Sequence, residues 1–149
     1  MIRKALTVLF LAALALSLGG CMEAAEKDDV RIVAKYRAAV ESLDHVEQVE
    51  VSHKTIPISG KTGSVDIYAD TADPETLKAL VKDAMQAIVL ARGDDSSTHL
   101  RLTVSPLDGQ EIAKGKQVMK PDDIGYTGPE TLDGYGYYLE CGIQEGRCP

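Results

Sequence analysis

Basic residues are scarce in this chain, cysteines number three, and one stretch alone approaches the length and apolarity of a membrane span. Sixteen lysines and arginines face 23 acidic residues. A surface of that sign repels nucleic acid and anionic headgroups, so no nucleic-acid partner is expected. The familiar catalytic signatures are missing as well: no Gly-x-Ser-x-Gly, no Ser-x-x-Lys, no phosphate-binding glycine loop and no His-Glu-x-x-His. His45, His53 and His99 have no second ligand at helical or turn spacing beyond Asp44 and Glu47, so neither a metal nor another cofactor is expected. The carboxylate pairs Asp28-Asp29, Asp94-Asp95 and Asp122-Asp123 fall in expected caps and loops, where capping and solvation account for them without acid-base work.

What the chain does have begins at its N-terminus. A basic start (Arg3, Lys4) leads into an apolar run from Ala5 to Leu18, relieved by Thr7 and Ser17, and then Gly19-Gly20 before Cys21. This is the pattern of a secretory signal. The run falls short of the roughly 20 residues that cross a bilayer, and no second one follows, so no transmembrane segment is expected. Leu18-Gly19-Gly20-Cys21 resembles the lipobox of bacterial lipoproteins. That resemblance implies a diacylglycerol on the Cys21 sulfur, cleavage before it, and attachment to the extracytoplasmic face of a cell membrane. Each buried methylene of the acyl chains contributes about 0.8 kcal/mol.

Without residues 1–20, 129 residues remain, the size of one domain, with 14 basic against 23 acidic side chains and a formal charge of −9. Residues 21–27 read as a short tether. In an oxidising compartment Cys141 and Cys148 are expected to form a disulfide around CGIQEGRC, worth roughly 2.5 kcal/mol of loop entropy. A redox dithiol is the alternative, although such pairs usually sit as Cys-x-x-Cys at a helix start.

Periodicity then divides residues 28–106. From Asp28-Asp29 as N-caps, Val30, Val33, Tyr36, Val40 and Leu43 predict an amphipathic helix. Val49 and Val51 alternate with polar residues, as do Val65, Ile67 and Ala69, predicting an antiparallel hairpin with a long loop over Pro57–Gly63. Asp73 as N-cap, Pro74 at the first helical position and Glu75 in the first turn open a second helix, whose apolar face is Leu77, Leu80, Val81, Ala84 and Ile88 and whose end is Arg92-Gly93. Leu100, Leu102 and Val104 form a third strand, ended by Pro106. His53 extends the Val49 and Val51 face and is expected at the rim of the core, whereas His99 lies on a polar face.

The fold class that follows is α+β: a small three-stranded mixed sheet with two helices on one face, in the order α-β-β-α-β, with the second and third strands parallel. Over residues 28–105 this order resembles the BON domain of bacterial envelope proteins, and equally a ferredoxin-like fold lacking its first strand. The BON resemblance implies phospholipid binding, for which the acidic chain would need a local basic patch such as Lys54 with Lys61.

Residues 107–149 form an irregular extension holding eight of the 13 glycines and four of the six tyrosines. Lys114 to Asp123 is its expected mobile stretch. Tyr135, Tyr137 and Tyr138 are expected to cover the open face or edge of the sheet, or to offer a binding surface. The functional expectation is a membrane-anchored, non-catalytic envelope module that binds or scaffolds another envelope component. An envelope hydrolase with an unrecognised site and a BON-like lipid-binding domain are the alternatives.

Overall fold

The computed structural model describes residues 24–93 and 98–142. The signal segment 1–20, Cys21, Asp94-Asp95 and Cys148 lie outside the described residues, as does the Cys141 side chain. Helix α1 spans residues 24–41. It is followed by β1 (Val46–Ile56), β2 (Gly60–Ala69), α2 (Pro74–Ala91) and β3 (His99–Pro106), then by a single 3-10 turn at Pro121–Ile124 and a short α3 (Leu132–Tyr137). Among the described residues none of the helices is long and apolar enough to cross a membrane.

The strands form one sheet in the order β1-β2-β3, with β1 antiparallel and β3 parallel to β2. Register aligns Val51, Val65 and Leu102 in one row and Val49, Ile67 and Val104 in the next. Strand alternation therefore gathers Val49, Val51, Val65, Ile67, Leu100, Leu102 and Val104 on one face, while Ile56 and Tyr68 stand on the other. Both long helices cover that face. α2 supplies the expected stripe of Leu77, Leu80, Val81, Ala84 and Ile88, with Met85 beside it, all buried. Its start is built as the sequence predicts, since Asp73 accepts the Thr76 amide at 2.8 Å and Pro74 needs no partner for an amide it lacks.

α1 departs from expectation in two ways. It is already helical at residue 24, so part of the predicted tether belongs to it and Asp28-Asp29 do not cap it. Its buried stripe is Ile32, Tyr36 and Val40, while Val30 is 66% exposed. Val33 and Ile32 lie three and four residues before Tyr36, and 3.6-residue periodicity admits either. The contact that selects Ile32 is made by Asp29, described below.

The hairpin loop is also shorter than predicted. Ile56 pairs with Gly60, leaving Pro57–Ser59 as the connection. Left-handed backbone at Ile58 (φ 79°) and Gly60 (φ 89°) closes it, a conformation a β-branched residue rarely adopts and a sequence pattern does not announce. Gly63 is instead a ladder residue: a Cβ there would lie 2.6 Å from the Ser52 carbonyl oxygen.

The extension packs onto the sheet at the outer edge of β3. Val104 and Met119 exchange main-chain hydrogen bonds of 2.9 and 2.7 Å, and the Leu100 amide donates to the Glu130 carbonyl at 2.9 Å. Ile112, Met119, Tyr126, Leu132 and Tyr135 join the same apolar core as the helices. Met119 lies within the stretch expected to be most mobile. The far face of the sheet stays polar, with Ser52 and Ser64 hydroxyls 3.0 Å apart and Thr103 donating to Asp66 at 2.6 Å.

Leu80→Asp places a carboxylate on the buried face of α2. A loss of several kcal/mol is expected, enough to unfold a domain of this size. Thermal unfolding followed by circular dichroism checks this, and an unchanged midpoint would contradict the packing.

Candidate functional site

Thr131 starts α3 by accepting the Gly134 amide at 3.0 Å, and the first turn buries Leu132. One turn on, Tyr135 is buried and its hydroxyl donates to the Leu100 carbonyl at 2.6 Å. Tyr126 meets Tyr135 and Tyr138 edge-on, with centroids 5.2 Å apart in both pairs, the arrangement that ring quadrupoles favour. Its hydroxyl donates to the Pro129 carbonyl, and that of Tyr138 to the Ile124 carbonyl at 2.7 Å. The glycines have physical reasons here. A Cβ on Gly128 would fall 2.7 Å from the Tyr126 hydroxyl, and one on Gly136 would fall 2.9 Å from Nη1 of Arg92. Arg92 uses that space to donate to the Leu132 carbonyl and to Asp133, each at 3.1 Å, tying α3 to the end of α2.

The outer side of this assembly is an open recess of 520 Å³, walled by Tyr126, Tyr137, Tyr138 and Pro129, with Thr127 and Asp133 among its few polar groups. Tyr137 is 60% exposed and presents its ring to whatever enters. Burial raises the phenols of Tyr126 and Tyr135 above their ordinary values, and Glu130 adds to both shifts. Both hydroxyls therefore remain protonated donors, already committed to carbonyls. The recess offers apolar area on a rigid backing.

Of the three tyrosines expected at a binding surface, Tyr137 and Tyr138 line the recess and Tyr135 lies in the core beneath it. As a cover, the group serves the edge of β3 and leaves the polar face open. Tyr126 is the residue that sequence reasoning missed. The signal that could have found it is Gly125-Tyr126-Thr127-Gly128-Pro129, an aromatic enclosed by turn-forming residues.

A second cluster joins α1 to the hairpin. Asp29 accepts the Thr55 amide at 3.0 Å, the Thr55 hydroxyl at 2.7 Å and His53 Nδ1 at 2.8 Å. His53 lies at the core rim, as predicted, and its Nε2 is 3.4 Å from Thr98 Oγ1. The order carboxylate, imidazole, hydroxyl is that of a nucleophile relay. Here, however, the His53 side chain and Thr98 are fully buried, so a substrate has no approach to the hydroxyl. Burial alone would raise the Asp29 carboxyl; the bonds from Thr55 and His53 outweigh it and hold the group below its ordinary value.

The remaining candidates are accounted for locally. Asp28 pairs with Arg31 at 2.7 Å, His45 with Asp70 at 2.8 Å, and Asp123 with Lys116 while accepting the Lys120 amide at 2.9 Å. Lys54 pairs in register with Thr62, and Thr55 with Lys61, so the two lysines project to opposite faces of the hairpin and form no joint patch. His99 is exposed, as expected. Among the described residues no group of three His, Cys, Asp or Glu side chains is placed to hold a metal ion. No known protein family, curated protein or solved structure matches the chain.

The Asp29 cluster makes a pH-dependent prediction. A carboxyl whose folded value lies below its unfolded one stabilises fully above the unfolded titration range, and that stabilisation is lost as pH falls through the folded value. Asp29→Ala is expected to cost about 2–3 kcal/mol at pH 7, with the gap to wild type narrowing only on the acid side of the ordinary carboxylate range. Urea unfolding of both proteins from pH 7 to pH 3 measures it; a gap constant over that range would contradict the clamp.

Proposed function

We propose that this chain is a lipoprotein, held at the outer face of a membrane through lipid on Cys21, and that its domain is a non-catalytic module binding another envelope component in the tyrosine-lined recess. The observation that carries the reading is the recess itself. Its walls are apolar and aromatic, its backing is fixed by three tyrosine hydroxyl bonds and the Arg92 tie, and the most exposed ring, Tyr137, bears none of that structural work. Such sites bind by burying apolar area, with a few polar groups setting orientation. The acidic charge of the mature chain favours a neutral or cationic partner. For the hydrolytic alternative the relay through Asp29, His53 and Thr98 is the nearest candidate, and the complete burial of the His53 side chain and Thr98 weighs against it.

Two outcomes test the proposal separately. Cys21→Ser should move the protein from the membrane fraction to the soluble extracytoplasmic fraction or leave it uncleaved, as read by fractionation and intact mass. A variant processed normally and still membrane-bound contradicts the anchor. Tyr137→Asp should leave the unfolding midpoint unchanged, since the ring is exposed, while removing the partner recovered by crosslinking intact membranes. Recovery of the same partner at the same yield would exclude the recess.

A further inference from the structure

The tip of the β1–β2 hairpin exposes apolar side chains. Ile58 is fully exposed and Ile56 partly so. Ile58 stands in left-handed backbone, φ 79°, where an L residue with a branched Cβ is strained, and a Cβ on Gly60, two residues on, would meet nothing within 4 Å. Strain that presents an apolar side chain to open space calls for a partner that repays it.

The partner is indicated by what lies level with the tip. Asp29 fixes α1 to Thr55 by two hydrogen bonds. α1 returns to β1 through a short turn at residues 42–45, so it runs antiparallel to that strand. Beyond the Asp29–Thr55 contact both elements therefore continue in one direction. α1 extends five residues further, to residue 24, about 7.5 Å at the helical rise. β1 extends one residue further to Ile56, about 3 Å at the rise of a strand, and the turn residues 57–59 stand beyond it. Residue 24, the first described residue of α1, and the hairpin tip therefore reach a similar level, and Cys21 stands three residues before residue 24 in the sequence. Lys54 stands two residues behind Ile56 in β1. Apolar side chains at an apex with a lysine set behind them match the layering of a bilayer interface, with acyl chains below and headgroup phosphates above.

We propose that the hairpin tip, through Ile58 and Ile56, dips into the lipid surface to which Cys21 is anchored, so that the domain stands on the membrane in one orientation. This rests on the lipid anchor proposed above. It differs from the binding role of the recess, which belongs to α3 and the outer edge of β3.

The chain contains no tryptophan, so an introduced indole reports alone. The full lipidated protein carrying Ile58→Trp is reconstituted into vesicles with brominated or ordinary acyl chains. Leu107→Trp serves as the control: Leu107 is exposed and its amide bonds to Ala69 at the opposite end of the sheet. Flotation of the same samples reports the anchor independently. The expected result is floating protein in which the Ile58→Trp emission falls by about half or more on brominated lipid, the quenching expected of a side chain buried at the headgroup–acyl boundary, while Leu107→Trp is unchanged. Floating protein with Ile58→Trp unquenched overturns the tip contact and leaves the anchor standing. Equal quenching at both sites overturns the single orientation. Protein that does not float removes the anchor and this inference with it.

Discussion

The architecture depends on one carboxylate. Asp29 leaves the face of α1 to collect the Thr55 amide, the Thr55 hydroxyl and the His53 imidazole. β1 is an edge strand, and an edge amide without a strand partner must be satisfied by water or by a side chain. Asp29 supplies the acceptor and in doing so fixes how α1 is rotated against the sheet. Ile32, Tyr36 and Val40 are turned inward as a consequence, and Val30 outward. The buried histidine acquires a partner from the same contact, so the end of the core beneath it carries no unsatisfied ring nitrogen.

The opposite edge is solved differently. β3 is covered by the extension, which lends main-chain groups at Met119 and Glu130 and then anchors itself with phenolic hydroxyls. These two solutions leave the domain with distinct surfaces. The β3 edge carries an aromatic recess backed by fixed tyrosine hydroxyls, while the β1 hairpin carries exposed apolar residues level with the first described turn of α1. The third surface, the polar sheet face, is satisfied by its own cross-strand contacts such as Asp66 with Thr103 and Arg101.

Much of this was legible in the sequence where periodicity governs. α2 was complete in its cap, its face and its end, because Asp73, Pro74 and the apolar spacing act locally. The strands and their parallel and antiparallel pairing followed from alternation and from the single crossover through α2. His53 at the core rim followed from the same alternation. What failed rests on contacts distant in sequence. Asp29 reads as a helix cap until Thr55 is brought beside it, 26 residues on. The length of the hairpin loop turned on Ile58 accepting a backbone conformation that its residue type disfavours. In the extension, hydroxyl-to-carbonyl bonds from Tyr126, Tyr135 and Tyr138 replace periodic structure, and no pattern of residue types encodes which carbonyl each will reach. The recess was therefore half visible, through Tyr137 and Tyr138, and its floor at Tyr126 was not.

Since the Asp29 contact sets the rotation of α1, seats His53 and brings the hairpin tip level with the first described turn of α1, the most direct measurement is hydrogen exchange at the Thr55 main-chain amide. Lying on the outer side of an edge strand, that amide would exchange at loop rates if water were its partner. The clamp predicts protection comparable to the amides of β2, lost selectively in Asp29→Ala. Fast exchange at Thr55 in the wild-type protein, with β2 protected, would show that α1 is not held to the hairpin in this way.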